Sequence, residues 1–167
     1  MKRLKFYAPA MALAVIGGAS VASAQTSSPI GVSIRAGVVF PTSSTLSSSQ
    51  GSTWFGFGAE YSVLKLDPSS SLKPTVSISA DYFSRDSVSE IPLLLNYVIH
   101  SNGLFGSVGA GANFIHTDFD SKTDFGYQVG VGYNFPTTGI PVFLEVKYWG
   151  SQDSGYNAVG VYAGVRF

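Results

Sequence analysis

The chain has 167 residues and no cysteine, so neither a disulfide framework nor a thiolate metal site is open to it. Ten basic side chains balance ten acidic ones, and charged residues make up 12% of the whole, about half the share of an ordinary soluble domain. That balance excludes the basic face that a nucleic-acid partner requires, and it raises the question of what the outer surfaces of so weakly charged a chain would meet.

Lys2, Arg3 and Lys5 open the chain, Met11 to Ile16 form the heart of an apolar run, and Ala22-Ser23-Ala24 supplies a small-x-small site before Gln25. This is the pattern of a secretory signal peptide over 1–24. Its apolar core is short for a helical span, which leaves a membrane anchor as the alternative. One mature domain is then expected over 25–167, with seven basic side chains against ten acidic ones.

From Ile30 onward the chain alternates. Ile30, Val32, Ile34, Ala36, Val38 and Phe40 fall on one face, with Gly31, Ser33, Arg35 and Gly37 on the other. Successive side chains of a strand point to opposite faces, so this is strand chemistry. A polar stretch from Pro41 to Ser52 reads as a loop. Phe55, Phe57, Ala59 and Tyr61 then alternate with Trp54, Gly56, Gly58 and Glu60; Val76, Ile78, Ala80 and Tyr82 alternate with Ser77, Ser79 and Asp81. Ile91, Leu93, Leu95 and Tyr97 follow, with Glu90, Pro92, Leu94 and Asn96 opposite. Asn102-Gly103 is a hairpin turn. Val108, Ala110, Ala112 and Phe114, then Phe125 to Phe135, then Val142 to Tyr148, and last Val159 to Phe167 keep the same scheme. That makes about eight segments of roughly ten residues, the length a tilted strand needs to cross a bilayer. No helical spacing is sustained beyond the signal peptide.

Alternation alone does not say which face is wet. The less apolar face is rich in Gly and Ser and carries few charges, whereas a water-facing strand surface avoids Gly because it weakens strands. A small barrel interior must mix small residues with occasional large ones. Gly56, Gly58, Gly109, Gly111, Gly130 and Gly132 would make space, and Trp54, Phe83, Phe105, Phe143, Trp149 and Tyr162 would fill it. The bulky apolar face bears no Lys or Arg, each of which would cost roughly 2–4 kcal/mol at a bilayer midplane. Phe40, Tyr61, Tyr82, Tyr97, Phe114, Tyr133, Tyr148 and Phe167 sit near the ends of these faces, as an interfacial aromatic girdle would.

These features, with Ile91-Pro-Leu-Leu-Leu-Asn-Tyr97 and the final alternating strand ending on Phe167, resemble the small eight-stranded outer-membrane β-barrel family typified by the OmpA transmembrane domain and OmpX. The resemblance covers nearly the whole mature chain. It implies an all-β fold, a closed eight-stranded antiparallel up-and-down transmembrane β-barrel. It also implies Sec-type export to a bacterial outer membrane, contact with outer-membrane lipids, and delivery to the barrel-assembly machinery through the strand ending at Phe167. A monomer without a peptidoglycan-binding domain is expected, and the short loops depart from typical members.

On this reading Arg35, Glu60, Asp81, Glu90, Glu145, Lys147 and Arg166 all project inward. Buried charges must pair or meet water. Arg35 falls diagonally near Glu60, and Asp81 almost opposite Glu90, an unfavourable pair unless Lys147 or Arg35 supplies a cation. The expectation is an ion-pair network that plugs the lumen; a narrow ion or small-solute pore is the alternative.

No catalytic residue, cofactor or metal is expected. His100-Ser101-Asn102 is similar to the His and Ser of a lipid A deacylase family, but that family places one residue between them, and adjacent residues point to opposite faces. His116, Asp118, Asp120 and Asp124 crowd one loop without the Gly and terminal Glu of a calcium loop. The function expected is structural, in envelope integrity or surface contacts, with a lipid-modifying enzyme and a soluble periplasmic lipid-binding barrel as rivals.

Overall fold

The structure, a computed structural model, describes residues 31–66, 71–136 and 141–167; the expected signal peptide, and Ile30 with it, lie outside them. Eight strands follow one another: β1 (Val32–Pro41), β2 (Trp54–Lys65), β3 (Thr75–Arg85), β4 (Val88–Ser101), β5 (Leu104–Thr117), β6 (Ser121–Asn134), β7 (Val142–Ser151) and β8 (Ala158–Arg166). Each pairs antiparallel with its neighbours in sequence, and β8 returns to β1, so the sheet is a closed all-β up-and-down barrel. Closure removes both sheet edges. The seam is tied beyond the last rung, where the Phe167 amide donates to the Val32 carbonyl at 2.7 Å and the Gly31 amide to the Phe167 carbonyl at 2.8 Å.

Two local features follow from residue chemistry. Asn102 and Gly103 both have positive φ, 47° and 87°, which is the tight turn that joins β4 to β5 directly. Pro92 lies inside β4 and has no amide hydrogen to give; the β3–β4 ladder runs from Ala80↔Leu93 to Phe83↔Glu90 and skips the two positions between. A register shift between Ser62 and Leu64 bends the end of β2.

The stretch after β1 is not a plain loop. Ser44–Gln50 form a seven-residue helix, α1, entered through Ser43, whose hydroxyl accepts from the Leu46 amide. The expectation of no helix in the mature chain is corrected here. Hydrophobic periodicity is silent on so short and serine-rich a segment; its N-cap and the packing of Leu46 over the barrel mouth hold it. α1 thus marks one end of the barrel. The other end holds the start of β1, the end of β8 and the hairpins β2–β3, β4–β5 and β6–β7; it is called the terminal end below.

The faces are inverted relative to a water-soluble barrel. Trp54, Phe83, Phe105, Phe143, Trp149 and Tyr162 are buried inside, together with Arg35, Asp81, Glu90, Glu145 and Lys147. Leu95, Val108, Val129, Val131, Val146 and Val161 are exposed on the outside. The space-making and space-filling residues expected from the sequence therefore share the interior.

Candidate functional site

The interior is layered along its axis. Nearest α1, Trp54, Phe83, Trp149 and Tyr162 pack with Val39, Val88, Leu94 and Ala158, and Leu46 and Tyr156 close over them. Phe83 and Trp149 lie 5.2 Å apart between ring centres, and Trp149 meets Tyr162 edge-on at 5.6 Å. Such rings are bulky enough to obstruct a narrow barrel.

Below this layer sit the ions. Arg35 grips Asp81 with both arms of its guanidinium, Nε to Oδ1 and Nη2 to Oδ2, each at 2.8 Å. Lys147 Nζ donates to Asp81 Oδ2 at 3.0 Å, and its ammonium lies 5.3 Å from the Trp149 ring centre. Arg35 Nη1 stands 3.4 Å from Glu60 Oε2 and 3.4 Å from Glu145 Oε2. Ser77 donates to the other oxygen of Glu60 at 3.0 Å. Lys147 and Asp81 are 0% and 1% exposed, so neither can fall back on water. Charges in such a setting are held by mutual contact, and removing one leaves the others uncompensated.

Register explains how Arg35 reaches Asp81. Arg35, Gly58 and Asp81 lie in one row across β1, β2 and β3. Gly58 has no side chain to stand between the two ions; a Cβ there would come within 1.9 Å of Asp81 Oδ1. The same device recurs on the opposite wall. Asn96, Gly109 and Gln128 share a row across β4, β5 and β6, and Gln128 Nε2 donates to Asn96 Oδ1 at 2.6 Å over the glycine. Asn96 in turn donates to Ser79 Oγ at 2.9 Å.

Of the seven ionic residues expected to form one network, five meet: Arg35, Glu60, Asp81, Glu145 and Lys147. Two do not. Glu90 lies opposite Phe83 and accepts from Asn113 Nδ2 at 2.9 Å, so the expected clash of Glu90 with Asp81 is corrected. The β3–β4 register puts Pro92 at the position facing Asp81 and Glu90 two residues nearer α1. Arg166 has no carboxylate within ion-pair distance among the described residues. It lies over the edge-to-face pair Phe105 and Phe143, 5.1 and 5.3 Å from their centres, with His100 Nδ1 at 3.4 Å from Nη1.

All eight residues expected as an aromatic girdle point outward, one from each strand or its end. Phe40, Tyr82, Phe114 and Tyr148 lie toward α1; Tyr61, Tyr97, Tyr133 and Phe167 lie toward the terminal end. Four further outward aromatics, Phe55, Phe57, Phe125 and Tyr127, lie with the α1-side group.

The remaining candidates separate. His100 lies in the terminal mouth beside Arg166, with no serine as its partner among the described residues. His116 Nδ1 and Ser121 Oγ approach to 2.5 Å across the β5–β6 hairpin, on its exposed face. Asp124 instead accepts from Ser151 and pairs with Lys122 at 3.2 Å, so the acidic loop does not converge. Among the described residues no three His, Cys, Asp or Glu side chains are grouped to hold a metal ion.

Fold and interior together define a class: a closed eight-stranded antiparallel β-barrel with a filled, ion-bearing lumen and an apolar exterior. No family model matches the chain, and no curated protein matches it.

Proposed function

We propose that this chain is a small outer-membrane β-barrel protein, similar in architecture to the OmpA transmembrane domain and OmpX, with a structural role in the bacterial envelope. One observation carries the reading. Between the two groups of outward aromatics, no Lys, Arg, Asp or Glu side chain projects outward from any strand, while Leu93, Leu95, Val108, Val129, Val131 and Val146 are exposed there. A surface of that size and apolarity is not tolerated in water without a covering, and a lipid bilayer supplies one around the whole circumference.

The aromatic groups then stand at the two membrane interfaces, where rings with polar edges are favoured. The α1 end faces outward and the terminal end faces the periplasm, as the resemblance implies for a barrel with an even number of strands. Export through the N-terminal segment and delivery to the assembly machinery through β8 and Phe167 belong to the same proposal, as does a monomeric state. The aromatic layer and the ions beneath it support a plugged lumen over a conducting one.

Fractionation tests the proposal. The expected result is a protein in the outer-membrane fraction whose gel mobility changes on boiling. Recovery as a soluble periplasmic protein, with no such change, overturns it.

A further inference from the structure

The terminal mouth of the barrel holds a cavity of about 410 Å³ whose lining includes Arg166, Lys65, Lys73 and His100. Its acid among the described residues is Glu60, which is already engaged by Arg35 and Ser77. Asp67, in the β2–β3 connection, lies outside the described residues. Arg166 is the unusual member. Its guanidinium rests over a pair of aromatic rings and beside a ring nitrogen, none of which neutralises it. Every other lumen cation meets a carboxylate: Arg35 meets three and Lys147 meets Asp81.

We propose that this mouth is a binding site for a phosphate-type oxyanion, with Arg166 as its anchor. The reasoning is chemical. A guanidinium offers a planar fork of donors that suits two oxygens at once. Lys65 and Lys73, both exposed, bring two point charges from either side of the β2–β3 connection to the same space, and Ser33 and Ser62 also line it. The cation–π contacts with Phe105 and Phe143 orient the fork without consuming its charge. A low-dielectric wall on one side and open water on the other focus the field of these cations on whatever enters. The site goes beyond the structural role proposed above: the phosphate arm of its test needs the barrel end alone, and only the headgroup arm rests on the membrane reading.

The same oxyanion chemistry is offered by free inorganic phosphate and by the phosphodiester of an anionic lipid headgroup, so the test has two arms. In the first, the folded full barrel in zwitterionic micelles is titrated with inorganic phosphate at constant ionic strength, and the Arg166 Nε–H and the Ser33 and Ser62 amide resonances are followed. In the second, the same resonances are compared in nanodiscs of phosphatidylcholine and of phosphatidylglycerol without added phosphate. A saturable shift in the first arm assigns the site to soluble phosphate; a shift in the second alone assigns it to a headgroup. Either must weaken about tenfold in Arg166→Gln, and also in the double variant Lys65→Gln/Lys73→Gln, whose side chains are exposed and not needed for packing. No saturable response in either arm, or a response unchanged in the folded double variant, overturns the proposal.

Discussion

Arg35 and Asp81 meet across Gly58, two strands apart in a single row of the barrel, with a bidentate contact at 2.8 Å on each arm. The absence of one side chain makes the central ion pair possible. Lys147 then completes the cation set around Asp81 from the far wall.

Substituting Gly58→Ala forces this pair apart, since the added methyl would lie 1.9 Å from Asp81 Oδ1 and 3.0 Å from Arg35 Nε. The expected loss lies between the roughly 1–3 kcal/mol of overpacking and the roughly 3–5 kcal/mol of removing a buried ion's partner. Urea unfolding in lipid vesicles measures it. The decisive comparison is the double variant: in an Asp81→Ala background Gly58→Ala should cost much less, because the clashing carboxylate is gone. Strict additivity would show that Gly58 does not serve the ion pair.

Gly109→Ala repeats the experiment with neutral groups. Its methyl would lie 1.9 Å from Asn96 Oδ1, which accepts from Gln128. Breaking an uncharged buried hydrogen bond costs about 1–3 kcal/mol, so the loss should be smaller than for Asp81→Ala. A larger loss would place the main support of the barrel on the amide wall and not on the ions.

Leu95 is 58% exposed on the outside of β4, between Tyr97 toward one end and Ile91 toward the other. If lipid covers this surface, Leu95→Arg should destabilise the barrel in vesicles by roughly 2–4 kcal/mol. A change within about 0.5 kcal/mol, normal for a water-facing substitution, would argue for a soluble barrel.

The filled lumen predicts low conductance. The unaltered protein in planar bilayers should show no large, steady openings. Truncating the obstruction with Lys147→Ala and Tyr162→Ala together, both side chains being buried on the axis, should raise conductance severalfold. Steady openings in the unaltered protein would favour the pore reading instead.

At the α1 end, Lys122 Nζ lies 2.7 Å from Asp153 Oδ2, and the Gly155 amide donates to Asp153 Oδ1 at 3.0 Å. The Lys122 ammonium, first, and the Gly155 amide hold the Asp153 carboxyl below its usual range. A lowered acid contributes to order above its unfolded pKa of about 3.9 and loses that contribution as pH falls through its lower folded value. The contact is half exposed and should therefore tie the β7–β8 loop to β6 without altering global stability. Amide exchange of Gly155 should rise on acidification over and above its intrinsic pH dependence, and Asp153→Asn should abolish that excess. An unchanged profile in the variant would show that the pair does not order the loop.

The strand count, the strand faces and the cast of interior residues were legible in the chain itself. A period of two is a local property: Val108, Ala110 and Ala112 must share a face whatever they pack against. The short helix at Ser44–Gln50 was not legible, because its stability comes from a cap and from Leu46 resting on a mouth that the barrel creates. The ionic partners were legible in part: Arg35 beside Glu60, and a cation from Lys147 or Arg35 at Asp81, were expected and are present, whereas the partner of Glu90 was not foreseen. Which charges touch depends on register and on closure of β8 against β1, and the β3–β4 register sets Glu90 opposite Phe83, where it meets Asn113 and not Asp81. The sequence by itself determined which side chains face inward, since alternation needs no partner strand. Only the tertiary structure decided that Arg35 reaches Asp81 over Gly58 while Arg166 is left at the mouth, since contacts across a closed sheet are set by how distant segments align.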